Sequence, residues 1–390
     1  MTKKTKNPII IVSTLAFVAF GVITTEFSLI GSLQLIADNF NVSLSQTGIL
    51  LSIYAIIVAL FGPFITLSFS QYNQKLVLSV AITLFIISTL ISTFANSFLL
   101  MIISRILPAL AHALVFSLAL AMAADCFPPE KRARTVSYVA LGFIVASVIG
   151  IPFASYLSSE FSWRWGFALC AIINVVSLIL ITIFLPNIAP KAKMTFGNQL
   201  SILKKPIVWL NMFLASTLFA ALFVVYGYFA PYFSSITGMS ANTISIMLMV
   251  FGALGIIGNQ FFGRITTTKN ISKVILVVIF AFALIYNLIN LFNYNLIAMI
   301  IMISIWGMLF AATGIVAIVW CTMNAQEAPA FANSLYVSFA NLGITAGAFS
   351  GAMGIKYLGI SSITTIATLF LCISLFLYLI TLKKMKKLKI

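Results

Sequence analysis

Residues 8–31 read PIIIVSTLAFVAFGVITTEFSLIG, an apolar run whose single ionisable side chain is Glu26. About 20 apolar residues in a helix, at 1.5 Å rise each, cross the hydrocarbon of a bilayer. The run is too long for the core of a signal peptide and lacks an obvious small-residue cleavage site, so it is read as a retained first membrane span. A carboxylate at the centre of a span costs several kcal/mol, roughly 2.5–3.5 on lenient scales. Glu26 therefore requires a partner or a task.

Runs of the same kind recur along the chain. Of the 390 residues, 62% are hydrophobic and 7% charged, where soluble domains carry about 25% charged residues. Spans are expected near 8–31, 45–69, 75–95, 98–124, 134–157 and 164–186, then near 207–230, 241–264, 273–292, 296–322, 332–355 and 361–382. Between the two sets lies the longest polar connection, which follows Pro186 and holds Pro190, Pro206 and four lysines. The expected fold is therefore an all-α integral membrane protein, with twelve transmembrane helices in two pseudo-symmetric six-helix bundles. Residues 1–188 form the first bundle, 189–206 a cytoplasmic linker and 207–390 the second. The loops after spans two and eight both follow a Gly-containing helix and both carry basic residues. Such internal duplication points to a transporter with its site between the halves.

The formal charge of +16 invites a nucleic-acid reading, which the placement of the charges removes. With the N-terminus inside, nineteen of the 22 basic residues fall on inner segments, leaving Arg164 and Lys356 outside and Arg105 within a span. Both termini are thus expected in the cytoplasm. The basic residues are spread over loops on one membrane face without interleaved aromatics, so anionic membrane lipids are the expected partners and no nucleic acid is expected. Frequent Lys, Asn and Ile suggest an AT-rich bacterial genome, hence a bacterial cytoplasmic membrane. Cys126, Cys170, Cys321 and Cys372 have no paired spacing and the chain has one histidine, so neither a disulfide framework nor a metal site is indicated. No GxxxxGK[ST] segment occurs, and no cofactor is expected.

Three ionisable residues within spans carry the chemistry: Glu26 in span one, and Arg105 and His112 in span four. Glu26 and Arg105 lie at similar depth in the outer half and are expected to face one polar cavity, interacting directly or through water. Glu26 then exchanges protons as substrate comes and goes, or the two form a fixed structural ion pair. His112, two turns deeper, suits proton transfer, hydrogen bonding to substrate or a helix–helix bond. In span five, Gly142, Ala146, Ser147, Gly150 and Ala154 surround Pro152, and Gly150-Ile151-Pro152 is expected to have a conformational role. In the second half Tyr226, Asn259, Asn287, Trp306 and Asn341 are taken as substrate-binding with His112. An aromatic, amide-rich pocket suits a neutral, planar or polyhydroxylated substrate.

These residues resemble the major facilitator superfamily, and within it the bacterial drug:proton antiporter type that includes sugar-efflux, arabinose-efflux-like and purine-efflux permeases. The resemblance spans essentially the whole chain. It rests on Gly21-Val22-Ile23-Thr24-Thr25-Glu26-Phe27, on the Arg105 and His112 stretch leading to residues 125–134, on Gly150-Ile151-Pro152, and on Ser162-Trp163-Arg164-Trp165. Tyr226-Gly227-Tyr228-Phe229-Ala230-Pro231 is similar to span seven of purine-efflux members. The resemblance implies proton transfer involving Arg105. The superfamily's loop between spans two and three normally carries a glycine, an aspartate and basic residues, whereas Ser68-Phe69-Ser70-Gln71-Tyr72-Asn73-Gln74-Lys75 keeps only Lys75. Asp125 then relies on Arg132, Arg134 or Lys75 for a conformational latch.

The expected function is a proton-coupled exporter of a small organic molecule, a drug, sugar or purine, working by alternating access. It is not an enzyme, and a monomer is expected. An uptake symporter, a facilitator or a lipid-translocating member of the same fold are the alternatives.

Overall fold

The computed structural model of the chain describes residues 7–69, 72–125, 132–187, 199–266, 270–292, 295–325 and 329–388. Fifteen α-helices run through them: α1 (Pro8–Phe27), α2 (Leu33–Phe40), α3 (Leu44–Phe69), α4 (Gln74–Thr93), α5 (Phe98–Asp125), α6 (Arg132–Val145), α7 (Ile151–Glu160), α8 (Trp163–Phe184), α9 (Pro206–Tyr226), α10 (Phe229–Thr237), α11 (Ala241–Ile265), α12 (Ile271–Leu291), α13 (Leu296–Thr322), α14 (Pro329–Leu358) and α15 (Ser362–Leu388). Span five is α6 and α7 joined through a π turn, Ala146–Gly150. Span seven is α9, which stops at Tyr226 and is followed by the short α10. Eleven of the helical segments among the described residues are long and apolar enough to cross a membrane. The twelfth is the 30-residue α14, whose Gly, Ser, Asn and Thr dilute its apolarity.

Helix starts follow local chemistry. Asn7 accepts from the Ile9 amide at 3.0 Å with Pro8 as the first helical residue, and Asn73, Ser162, Ser240 and Asn295 cap α4, α8, α11 and α13 in the same way. Each side chain satisfies amides that have no partner within the first turn. Lys75 works at an opposite end: its Nζ donates to the carbonyls of Thr182 (2.7 Å) and Leu185 (2.9 Å), closing α8. A cation there complements the helix dipole.

The chain forms two compact units, Met1–Leu35 with Leu60–Met194, and Ile36–Ala59 with Thr195–Ile390, so α3 is divided at Ala59. In the first, Leu15, Val18 and Val22 of α1 pack with Leu78, Ile82 and Phe85 of α4, Val115 and Met122 of α5, and Ile181 of α8. In the second, Val208, Met212 and Ala215 of α9 pack with Ala317 and Cys321 of α13 and with Ala332, Phe339 and Ala340 of α14. Helix pairings recur six spans apart: α1 with α6 and α9 with α14, α4 with α8 and α12 with α15, α4 with α5 and α12 with α13. Large apolar side chains such as Ile87, Ile172, Ile183, Val277, Phe280 and Phe376 remain exposed, an arrangement that lipid satisfies and water does not.

The α9–α14 pair depends on glycine. A Cβ on Gly343 would run into the Ser216 carbonyl oxygen, and one on Gly347 into that of Ala220. Spacing of four places both on one face, and their lack of a side chain lets the backbones touch. Alongside, the Tyr228 hydroxyl donates to the Ala348 carbonyl at 2.8 Å.

Pro108 lies inside α5. Proline has no N–H to give the carbonyl four residues back, which is Ser104. That oxygen instead accepts from Ser88 Oγ of α4 at 2.5 Å, while Ser92 Oγ donates to Ser104 Oγ at 2.8 Å. Ser88→Ala is expected to destabilise by about 1–3 kcal/mol through a stranded buried acceptor. Adding Pro108→Ala restores a helical donor and recovers most of the loss, which thermal unfolding of the single and double variants in detergent checks.

Candidate functional site

Glu26 sits on the last turn of α1, 5% exposed, and Arg105 (1%) and His112 (5%) come from α5. All three belong to the first unit. The guanidinium donates through Nη1 to the Thr25 carbonyl at 3.2 Å and through Nη2 to the Glu26 carbonyl at 2.7 Å. Because α1 ends at Phe27, these carbonyls lack donors within their own helix. Arg105 therefore holds the main chain of the residue whose side chain sequence reasoning paired with it. Its positive charge lies at the negative end of the α1 dipole.

The carboxylate lies near His112, with Oε2 3.8 Å from Nδ1. The imidazole is held by a stack: its centroid is 4.5 Å from Phe116, which lies 4.5 Å from Phe143 at 4° between planes. Grouped with substrate binding on sequence grounds, His112 is thus brought directly to Glu26. A third helix reaches the same turn. Asn174 of α8, fully buried, donates through Nδ2 to Thr25 Oγ1 at 2.9 Å and to the Cys170 carbonyl at 2.8 Å. Thr25 Oγ1 donates onward to the Gly21 carbonyl at 2.8 Å. Neither Asn174 nor Phe116 was singled out from the sequence. An amide in the middle of an apolar span is the signal that marks Asn174.

Arg105→Ala strands the buried Glu26 carbonyl at the end of α1, at about 1–3 kcal/mol, and leaves the Thr25 carbonyl with the Ser28 hydroxyl alone, at 3.1 Å. Arg105→Lys keeps the charge but lacks the planar fork that reaches two acceptors, so its loss is smaller. Thermal midpoints in detergent should fall in the order Ala, then Lys, then wild type.

Gly150 closes the π turn and Pro152 follows at the second position of α7. A Cβ on Gly150 would collide with Thr24 Oγ1, so the expected hinge packs beside the turn that carries Glu26. Widened π turns are a common accommodation of strain at functional positions. Asp125 ends α5, and Arg132 and Arg134 lie in the first turn of α6. The side chains of these three latch residues, and residues 70–71, 126–131 and 267–269, lie outside the described residues.

In the second unit Tyr226 and Trp306 meet in one buried aromatic cluster. Tyr226 stacks on Phe251 at 5.2 Å and 18°, Trp306 on Phe229 at 5.7 Å and 20°, and the two are 6.3 Å apart. The asparagines are placed differently. Asn287 is exposed and donates to the Ala283 carbonyl of its own helix at 2.7 Å, and buried Asn341 donates to Val337 of its own helix at 3.0 Å. Asn259 is half-buried on α11. Among the described interactions, none links these amides to the aromatic cluster.

Comparison with known proteins gives the lineage. The chain is 28% identical over 273 residues, 70% of its own length and 69% of the relative's, to YtbD of Bacillus subtilis (strain 168), described as an uncharacterized MFS-type transporter. It is 29% identical over 258 residues (66% and 65%) to the putative transporter AraJ of Escherichia coli (strain K12). Over 377 residues (96% and 94%) it is 27% identical to a probable sugar efflux transporter of Mannheimia succiniciproducens. Among solved structures, a bacterial homolog of the human lysosomal transporter Spinster, inward-facing and occupied, superposes with a TM-score of 0.76 at 16% identity, covering 95% of this chain and 96% of that one. The nucleoside transporter NupG gives 0.77 at 13% identity (97% and 98%). These two establish the fold. With the family model matching residues 15–348, the twelve-span protein belongs to the Major Facilitator Superfamily, a family of transporters and not of enzymes.

Proposed function

We propose that the chain is a proton-coupled secondary exporter of a small organic molecule, in which Glu26 takes up and releases the coupled proton. The observation that carries this reading is the setting of the Glu26 carboxylate: buried in a span and 3.8 Å from the imidazole of His112. Intramembrane acids are costly and are kept mainly where they do work. Arg105, bonded to the main chain of the same turn, holds the carboxylate's position and adds a fixed positive charge. His112 is the neighbouring acceptor through which a proton reaches or leaves the carboxylate.

The same reading places the protein in a bacterial cytoplasmic membrane, as a monomer with both termini on the cytoplasmic side, and with anionic lipids at its basic loops. It divides the chain into halves at residues 189–206, and gives the Gly150-Ile151-Pro152 turn the bending needed for alternating access. The efflux name of one relative supports export. Buried Tyr226 and Trp306 support a substrate with a planar or hydroxylated face, such as a sugar, a purine or an aromatic drug.

The test of direction uses inside-out vesicles energised with an inward-acidic gradient, offered L-arabinose, adenine and ethidium in turn. Accumulation driven by that gradient is the result expected of an exporter. Accumulation of any of these only in right-side-out vesicles overturns export in favour of uptake.

A further inference from the structure

We propose that Asn174 is a positioning residue for Glu26, fixing through Thr25 the rotation of the last turn of α1. This rests on the reading of Glu26 as the proton-exchanging group. Thr25 and Glu26 are consecutive, so their side chains leave the helix about 100° apart. Thr25 points to α8 and Glu26 to α5. The turn is consequently tied on two sides, by Arg105 to its carbonyls and by Asn174 to its hydroxyl.

The tie is built into the packing. The Thr25 hydroxyl accepts from Asn174 and donates to the Gly21 carbonyl, while the other Asn174 proton goes to the Cys170 carbonyl. One chain of hydrogen bonds thereby joins the backbones of α1 and α8. Gly21 keeps those helices close: a Cβ there would lie 3.0 Å from Ile173 Cγ2 and 3.2 Å from Asn174 Oδ1. A buried amide with so few alternatives has one low-energy orientation. When the tie is cut, α1 gains freedom to turn about its axis, and such a turn carries the carboxylate away from His112. The titratable and charged side chains facing Glu26 are Arg105 and His112 from α5. From α8 comes Cys170, whose thiol lies by Thr25 and Ser28.

The test reads the protonation of Glu26 without requiring a substrate. Dicyclohexylcarbodiimide modifies protonated carboxyls in apolar surroundings, and its adduct on Glu26 is quantified by mass spectrometry in full-length protein in liposomes between pH 5 and 9. Asn174→Leu and Thr25→Val, which retains the threonine shape should the first variant fold poorly, are each expected to displace the pH midpoint of modification by about one unit or more. The direction should be the same for both, with no further change in the double variant. Ser177→Ala, one turn along α8 with its hydroxyl bonded to its own helix, should leave the midpoint in place. Midpoints unchanged in both tie variants overturn the positioning role and leave Glu26 as the coupling group. A wild-type Glu26 with no transition in this range overturns the coupling role and the positioning role together.

Discussion

Glu26→Gln should eliminate proton-driven transport while leaving substrate counterflow, the exchange of labelled for unlabelled substrate without a proton gradient, near the wild-type rate. The amide matches the carboxylate in shape and polarity but cannot bind and release a proton at any pH in which the protein is stable. Arg105 donates to the main-chain carbonyls of Thr25 and Glu26, and a change confined to the Glu26 side chain leaves those bonds in place. The end of α1 should therefore stay formed, and thermal unfolding should shift little. The separation of the two activities is the informative outcome. Loss of both would make Glu26 part of the substrate site or of the fold, and retention of both would remove it from the mechanism.

Gly347→Leu should have the largest effect on folding. A Cβ at this position runs into the Ala220 carbonyl oxygen and lies 3.0 Å from both Ala220 Cα and Val224 N. Backbone atoms of a packed helix cannot step aside as the end of a side chain does, so α9 and α14 must separate. Overpacking of a well-packed core costs about 1–3 kcal/mol, and this contact, against backbone atoms, belongs at or above the top of that range. The Tyr228 to Ala348 hydrogen bond (2.8 Å) and the apolar contacts of Ala340 and Phe339 with α9 weaken together. The expected result is loss of the monodisperse peak in detergent size-exclusion chromatography. Gly314→Ala is the matched control, since a Cβ there meets nothing within 4 Å, and its peak should be unchanged.

Much of this architecture is legible in the sequence because lipid imposes a simple rule: a span must be long, helical and poor in charge. That rule locates the apolar runs and makes Glu26, Arg105 and His112 conspicuous. It does not locate the end of a helix. Residues after Phe27, Ser28-Leu29-Ile30-Gly31, are as apolar as those before it, so the expected first span runs to residue 31 where α1 stops at Phe27. The difference matters, since a helix ending there leaves the carbonyls of Thr25 and Glu26 without helical amide donors and open to Arg105. Depth along a span suggests that Glu26 and Arg105 can meet, but not that the guanidinium reaches the main chain.

The second unit was harder to read for a related reason. A polar residue in a span needs a partner, and a short side chain can find one on its own helix. Asn287 and Asn341 both do so, and their types and spacing do not distinguish this from a pocket. Tyr226 and Trp306 meet because large aromatics pack together wherever the helices bring them close. The Gly343 and Gly347 face, although visible as a four-residue spacing, acquires meaning only when α9 is known to lie against it.

The measurement that bears most directly on proton coupling uses purified protein in liposomes loaded with a pH-sensitive dye, with L-arabinose, adenine and ethidium added in turn. The account predicts that at least one of them elicits a proton movement in wild-type vesicles that Glu26→Gln vesicles lack. A proton movement of equal size in the Glu26→Gln vesicles would contradict it, as would labelled-substrate exchange by the wild type with no dye response at all.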